Sequence, residues 1–332
     1  MKVLITGGSG FIGSNFIRYC LAAHPDWQIT NLDKLTYAGN PENLKDIEND
    51  PALSKRYRFV KGDICDEKLV AGLMKDPELV FHFAAESHVD VSIKDPYVFT
   101  RTNMIGTQTL LEAARNSSSL KRFIHISTDE VYGSIPSGST DEDAPFRPSS
   151  PYSATKAAAD MLAQAYFTTY RTPVIITRSS NNYGPYQYPE KVIPLFITNI
   201  LEGKKVPLYG TGKNMRDWIF VEDNCSGIDF AATKGKIGEA YNVGGGNELP
   251  NTEITNRILH ELKKDSSWIE LVTDRPGHDL RYSLDCSKMK KLGWKPKHDF
   301  ADALRKTVQW FKDNDEWWKP LKRQLVSKGQ VK

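Results

Sequence analysis

The segment Phe123-Ile124-His125-Ile126-Ser127-Thr128-Asp129-Glu130-Val131-Tyr132-Gly133 runs from apolar residues straight into two adjacent acids. Neighbouring carboxyls in a closed site titrate apart, so one stays protonated while the other is ionised. Such a pair offers an acid and a base to one substrate, each worth about a hundred- to ten-thousand-fold in rate. The blander reading is that Asp129 and Glu130 only cap a loop.

Ser149-Ser150-Pro151-Tyr152-Ser153-Ala154-Thr155-Lys156 is the second chemical stretch. Ser150 suits an N-cap and Pro151 the first helical position. Tyr152 then lies in the first turn, with Lys156 four residues on and on the same face. A free phenol, with a pKa of about 10, is a poor base at neutral pH. A nearby ammonium, a helix N-terminus and an oxidised nicotinamide ring would all favour phenolate. Tyr-x-x-x-Lys alone is common, so its weight depends on its surroundings.

Those surroundings include Thr6-Gly7-Gly8-Ser9-Gly10-Phe11-Ile12-Gly13, between a first strand and a first helix. Gly7 permits the tight turn, Gly10 lets the backbone approach a pyrophosphate, and Gly13 lets helix and strand pack closely. The phosphates would sit at the positive helix end. Asp33 follows Gly13 by 20 residues, where an acid accepts hydrogen bonds from the adenosine ribose. An acid there repels a 2′-phosphate and favours NAD over NADP, while Lys34 beside it works against that preference. Asp63 and Ile64 stand where they flank an adenine. With a nicotinamide as hydride acceptor, Tyr152 and Lys156 become a hydride-transfer site.

The elements that must position these residues alternate regularly. Strands are expected at Val3–Thr6, Ile29–Asp33, Tyr57–Gly62, Leu79–Ala84, Phe123–Ser127 and Val174–Arg178. Helical patterns lie between them at Phe11–Ala23, Asp66–Met74, Val98–Asn116 and Pro151–Tyr170. This rhythm predicts an α/β fold, a doubly wound parallel sheet of the Rossmann type, with ligands outside the carboxyl ends of its strands. After Asn182 the turn-rich, aromatic segment 183–189 breaks the rhythm and opens a smaller mixed α/β substrate-binding domain. The expected division is 1–182 for the dinucleotide, with 217–243 packing back on it, and 183–216 plus 244–322 for the substrate. A helix is expected at Phe300–Asp313, and 323–332 reads as a tail.

Length and charge narrow the function classes. A chain of 332 residues suits one large α/β domain or two sharing a cleft. With 44 basic and 41 acidic residues, the net charge of +3 gives no case for nucleic acid. Cys20, Cys65, Cys225 and Cys286 are widely spaced, which reads as reduced thiols and no metal site. Neither an apolar leader nor a bilayer-length stretch is expected, so the reading is cytoplasmic, away from membranes.

Beyond these derivations, the chain resembles the extended short-chain dehydrogenase/reductase superfamily, and within it the dTDP-glucose 4,6-dehydratase group. The segments that carry the resemblance are TGGSGFIGSNF, DKLTYAGN, FAAESHVDVSI, STDEVYGS, PYSATKAAAD, SNNYGPYQYPEK, RDWIFVEDN, YNVGGGNE and DRPGHDLRY. Val91 departs from it, standing where the group carries a basic residue.

The resemblance implies a redox-neutral reaction on a nucleotide-sugar substrate, dTDP-glucose. NAD takes a hydride from sugar C4 while Tyr152 removes the hydroxyl proton. The ketone then acidifies C5, water leaves across C5 and C6, and the hydride returns to C6. Glu130 would be the base at C5, Asp129 the acid at the C6 hydroxyl, and Thr128 the partner of the C4 oxygen. The product serves dTDP-rhamnose or other deoxysugar synthesis.

The same resemblance places Phe11, Ile12, Leu35, Thr36, Ala84 and Ala85 against NAD. Thr102, Asn182 and Ser87 join them, with Lys156 on the nicotinamide ribose and Ser87 also facing the sugar. Asn181, Lys191 and Val192 would approach sugar and diphosphate, Arg216 and Arg275 the diphosphate. For each arginine a surface ion pair is an equal reading of the sequence. Pro207, Tyr209, Asn251 and His278 would line the nucleoside pocket. The helices Val98–Asn116 and Pro151–Tyr170 imply a homodimer joined through a four-helix bundle.

Sister enzymes compete. A nucleotide-sugar 4-epimerase needs Tyr152 and Lys156 but no elimination acids. UDP-glucuronate decarboxylases and GDP-mannose dehydratases carry Thr-Ser-Glu where this chain has Thr128-Asp129-Glu130, and the latter favour NADP. A non-catalytic dinucleotide-binding sensor would have no need of the Tyr-Lys pair. Asp129 is therefore the most discriminating residue.

Overall fold

The structure, a computed structural model, describes residues 1–274 and 279–327. In chain order its strands are β1 (Lys2–Thr6), β2 (Gln28–Asp33), β3 (Tyr57–Lys61), β4 (Leu79–His82), β5 (Arg122–Thr128) and β6 (Val174–Ser179). There follow β7 (Asn181–Tyr183), β8 (Val206–Tyr209), β9 (Met215–Phe220), β10 (Ala240–Val243), β11 (Glu248–Pro250) and β12 (Ile269–Val272). Seven of them form one sheet in the order β10-β6-β5-β4-β1-β2-β3, parallel throughout. The order reverses between β1 and β4, which opens a crevice at their carboxyl ends.

Their sequence explains the parallel arrangement. β4 and β6 are buried at every position, so neither alternates apolar with polar residues along its length. Separate buried clusters cover the two faces, one around Phe16, Ile17 and Ile228, the other around Leu110, Leu111 and Ala163. A third core, around Phe196, Ile258, Phe311 and Trp318, belongs to the second half of the chain. There β11-β9-β7 and β12-β8 form two small sheets.

Two helical expectations change in the structure. The 98–116 stretch is not one uniform α-helix: Pro96–Phe99 passes into a π-helical turn at Thr100–Gly106 and then into Thr107–Arg115. Asn103 sits in that turn and is tied to both Glu86 and Thr155, contacts that a regular helical repeat would displace. The second change is at the end, where a helix runs over Asp315–Ser327, into the segment read as a tail. Leu325 is buried, and Lys322 is buried with its Nζ 2.7 Å from Asn199 Oδ1. A lysine in a polar-looking stretch hid that packing face. Among the described residues no helix is long and apolar enough to cross a membrane, and no cluster of ligands suits a metal ion.

Candidate active site

The glycine turn is shaped by close approach. Gly7 has φ +73°, and a Cβ there would stand 2.6 Å from Ala84 N, two residues past the end of β4. At Gly13 it would stand 2.3 Å from Gly7 O. The Phe11–Ala23 helix starts at Gly10 with no side-chain cap and no acid in its first turn. Its first amides therefore face the crevice, ready for an anion.

Asp33 ends β2, with Oδ2 accepting from Ser9 N at 2.9 Å and Oδ1 from Leu35 N at 2.8 Å. Leu35 itself adopts φ +58° and its amide, not its side chain, serves the site. Lys34 does not act alone: its Nζ lies 2.8 Å from Asp63 Oδ2.

The Pro151–Tyr170 helix begins with a reciprocal cap. Ser153 N donates to Ser150 Oγ at 3.1 Å and Ser150 N donates to Ser153 Oγ at 3.0 Å. That fixes the first turn, so Tyr152 and Lys156 line the same cavity as the glycines and the acids. Lys156 is buried and its Nζ donates to Ile126 O at 2.7 Å. Burial pushes its ammonium down to about 8, against the charge of Asp160, which holds it up.

β5 delivers the acids. Thr128 Oγ1 accepts from Glu130 N at 3.3 Å, starting the short turn Asp129–Tyr132, and donates to Asp129 Oδ1 at 3.2 Å. Asp129 is only 3% exposed, and its Oδ2 has no partner within the protein. Burial first, then the charge of Glu130, pushes Asp129 up to about 8, more than the Arg216 guanidinium pulls it down. At neutral pH this favours the protonated acid. The Tyr152 phenol is also pushed up, by burial, then by Glu130 and Asp129, while a hydrogen bond with Thr128 acts the other way. The expected helpers of phenolate are an ammonium, the helix end and an oxidised nicotinamide ring; within the protein alone, burial and the two acids act against it.

The cleft gathers most of the expected residues. Its floor holds Gly7, Gly10, Phe11, Ile12 and Gly13, and the adenosine end Asp33, Lys34, Thr36, Asp63 and Ile64. Ala84, Ala85, Ser87 and Thr102 form the β4 side. The reacting end holds Thr128, Asp129, Glu130, Tyr152 and Lys156, with Asn181, Asn182 and Lys191 beyond. Buried Oδ1 atoms of Asn181 and Asn182 have no partner in the protein. An uncapped helix end, glycine contacts that exclude a Cβ, an acid at the ribose position and unpartnered amides together fit a dinucleotide.

Other expected residues lie elsewhere. Val192 starts the Val192–Leu201 helix just past Lys191, outside the cleft lining. Pro207 and Tyr209 are on β8 and Asn251 opens a helix beside it. Gly210 N donates to Val272 O, and Arg216 Nη2 donates to Asp279 O at 2.9 Å. These residues thus border the two flanks of 275–278. Arg275 and His278 lie outside the described residues.

Sequence reasoning missed Tyr37, Glu86, Tyr188 and Glu190, all in the cleft lining. Each stands inside a motif already singled out, so the signal was present but its direction was not. Glu190 pairs with His88 at 3.1 Å and Lys191 at 3.3 Å. Burial raises its carboxyl, but the charge of Lys191 and the hydrogen bond from His88 hold it below the usual range.

A switch-point crevice with a glycine turn and a Tyr-Lys helix beside it defines an oxidoreductase-type nucleotide-binding fold of the short-chain dehydrogenase/reductase class. The family model for GDP-mannose 4,6 dehydratase matches residues 4–307. The chain is 51% identical over 327 residues to a dTDP-glucose 4,6-dehydratase of Streptomyces niveus, covering 97% of this chain and 96% of that one. It superimposes with a TM-score of 0.93, at 52% identity, on the dTDP-glucose 4,6-dehydratase of Streptomyces venezuelae, solved with NAD bound, over 97% of this chain and 100% of that one. A UDP-glucuronic acid 4-epimerase from Bacillus cereus shares the fold at 29% identity, with a TM-score of 0.87 over 94% of this chain and 99% of its own. The chain belongs to the dTDP-glucose 4,6-dehydratase family, within the wider group of the GDP-mannose 4,6 dehydratase model.

Proposed function

We propose that the protein is an NAD-dependent hydro-lyase that converts dTDP-glucose to dTDP-4-keto-6-deoxyglucose. NAD, when bound, accepts a hydride from sugar C4 and gives it back at C6. The residues that would hold it are the Gly7–Gly13 turn, Asp33 at the ribose and Lys156 beside the nicotinamide ribose. The chain's own groups then move the protons. Tyr152 takes the proton of the C4 hydroxyl and Thr128 holds the C4 oxygen. Glu130 removes the C5 proton, made acidic by the ketone, and Asp129 gives its proton to the departing C6 hydroxyl. Proton and hydroxyl leave as water. As C6 regains its hydrogen, Glu130 gives C5 a proton that has exchanged with solvent. The proton taken by Tyr152 passes back through solvent to Asp129, so the sum is a dehydration.

The carrying observation is Asp129 buried beside Glu130 at the end of β5, where burial and then the charge of Glu130 push its carboxyl up to about 8. An epimerase of this fold needs no acid there. Residues 1–182 and 217–243 serve the dinucleotide in this reading, 183–216 and 244–322 the nucleotide sugar. The substrate's nucleoside end is taken to Pro207, Tyr209, Asn251 and His278, its diphosphate to Arg216 and Arg275. Two copies pair through the helices that follow β4 and precede β6, where Tyr97, Ile105 and Met161 are exposed. Four unpaired cysteines accord with a cytoplasmic site of action.

The test is incubation with dTDP-glucose in deuterated water. The expected product is lighter by one water, carries a 4-keto group and holds solvent deuterium at C5. Unchanged sugar or its C4 epimer would reject the reading.

A further inference from the structure

The second half of the chain is fastened to the glycine turn and its helix at three places. Asn15 Nδ2 on the Phe11–Ala23 helix donates to Pro185 O at 3.0 Å. One turn on, the Arg18 guanidinium lies 4.1 Å from the centre of the Tyr186 ring. Asn43 makes the third link. Its Nδ2 donates to Ser9 O at 2.9 Å, inside the glycine turn, and its Oδ1 accepts from Trp317 Nε1 at 2.8 Å. The Asn43 carbonyl accepts from Arg18 Nη2, and Arg18 Nε is held by Asp46 Oδ2 at 2.9 Å. Around Tyr186 the rings of Trp310 and Trp317 pack at 4.7 and 5.8 Å between centres. Tyr186 has φ +65°, a left-handed backbone that a tyrosine keeps only where its surroundings hold it.

From this clasp the chain runs directly along the cleft. Gln187, Tyr188, Glu190 and Lys191 line the same cavity as Gly7, Gly10 and Gly13. The far end of the segment is tied to two loops. Glu190 pairs with His88 Nε2 at 3.1 Å, past β4, and the Tyr188 ring meets the Tyr37 ring edge-on at 5.7 Å, past β2. Residues 185–191 are therefore a strap along the cleft, anchored on the helix that would receive the pyrophosphate and on the loops after β2 and β4. Gln187 is buried and donates to Asn182 O at 2.8 Å, while its Oε1 has no partner within the protein. A buried acceptor of this kind is normally satisfied, so it points to an occupant of the cleft.

We propose that Arg18, Asn43 and Tyr186 are positioning residues for the cofactor: they hold the 185–191 strap against the dinucleotide cleft and so keep NAD from leaving between the two hydride transfers. The inference rests on the NAD-dependent reading above, in which the hydride taken at C4 must return to the same sugar at C6. Loss of the dinucleotide between those steps would strand the sugar half-converted. The clasp is placed for retention rather than for chemistry. Arg18, Asn43 and Tyr186 are absent from the cleft lining, yet they join the turn beneath the pyrophosphate position to the strap beside it. The central sheet does not depend on them, since its core on this side is built around Phe16, Ile17 and Ile228.

The experiment follows exchange of bound NAD for isotopically labelled NAD in the full chain, in wild type, Tyr186→Ala, Tyr186→Phe and Leu325→Ala. Tyr186→Ala removes the ring that Arg18, Trp310 and Trp317 hold. It should release NAD about tenfold faster or more, because lost contacts act mainly on dissociation. Tyr186→Phe keeps the ring and should release NAD at the wild-type rate. Leu325 is buried on the same helix as Trp317 but away from the cleft lining, so Leu325→Ala should lower the melting temperature and leave release unchanged. Should Tyr186→Ala fail to fold, Trp317→Phe removes only the donor to Asn43 and should still hasten release severalfold. Release unchanged in the folded clasp variant overturns the proposal. Release hastened equally by Leu325→Ala overturns it too, since general loosening would then suffice. Wild type that takes up no NAD would reject the cofactor reading and this inference with it. Wild type that exchanges NAD but leaves dTDP-glucose unchanged would reject only the dehydratase reading, while the release rates would still decide the clasp.

Discussion

Glu130 keeps its neighbour Asp129 protonated, since its charge adds to burial in lifting the Asp129 carboxyl to about 8. Adjacent in sequence, the two acids are thereby given opposite tasks. Asp129→Asn preserves shape and neutrality but removes the transferable proton. Elimination should slow about a hundred- to ten-thousand-fold, with oxidation at C4 still detectable as transient reduced cofactor absorbance. Equal loss of both steps would remove the acid from its assigned role.

The same pair makes a stability prediction. Folded Asp129 holds its proton up to about pH 8, whereas an unfolded aspartate loses it near about 4. Between these values the folded state binds more protons, so stability falls as pH rises. Asp129→Asn abolishes that fall. Its melting temperature should exceed that of wild type at pH 8, on the order of a few °C, with the gap closing toward pH 4.

At the other end of the cleft, Asp33 stands where the proposed function places the adenosine ribose. Lys34 is engaged by Asp63 at 2.8 Å, so it is not left to attract a 2′-phosphate. Asp33→Ser should cut the preference for NAD over NADP about tenfold, equivalent to about 1.4 kcal/mol of lost repulsion and lost ribose contact. Adding Asp63→Asn should release Lys34 and cut the preference further. Calorimetric titration with each dinucleotide measures both steps, and an unchanged ratio in the double variant would deny Lys34 any influence.

The Tyr152 phenol carries a fourth, electrostatic prediction. Glu130 and Asp129 push it up, so Glu130→Gln should lower the pH at which the phenolate absorbance appears. Tyr152→Phe, used as the blank, identifies that absorbance and should itself suppress C4 oxidation about a hundred- to ten-thousand-fold. A phenolate titration indifferent to Glu130→Gln would mean that the acid does not face the phenol.

How far the sequence reached depended on whether the information was local. The Thr6–Gly13 turn and the Ser150–Pro151 cap are specified by residues a few positions apart, and both elements begin where their residue types demand. Asp160 was invisible because its partners, His125 and Arg178, lie on two other strands. The π-helical turn at Thr100–Gly106 was equally hidden, since Asn103 is held by Glu86 and Thr155 rather than by its own helix. Tyr152 shows the same limit in electrostatics. Local spacing pointed to its lysine, while its burial and the two acids of the Asp129–Tyr132 turn, which push the phenol up, come from tertiary structure.

The outer face of those helices yields the last prediction. Tyr97 is 85% exposed, Met161 63% and Ile105 51%, on neighbouring segments that otherwise pack well. Scattered exposed apolar residues need no explanation, but several on one face mark an interaction surface. If a second copy covers it, Met161→Asp and Ile105→Asp each bury an unpaired charge at the interface. That costs about 3 kcal/mol, more than a hundredfold in the dimer dissociation constant. Sedimentation should show wild type as a dimer and the double variant as a monomer with an unchanged far-ultraviolet dichroism spectrum. Because Asn103 and Thr155 join this same helix pair to the Glu86 loop of the cleft, the monomer should also bind NAD more weakly. A monomeric wild type at working concentration would leave these side chains without the assigned role.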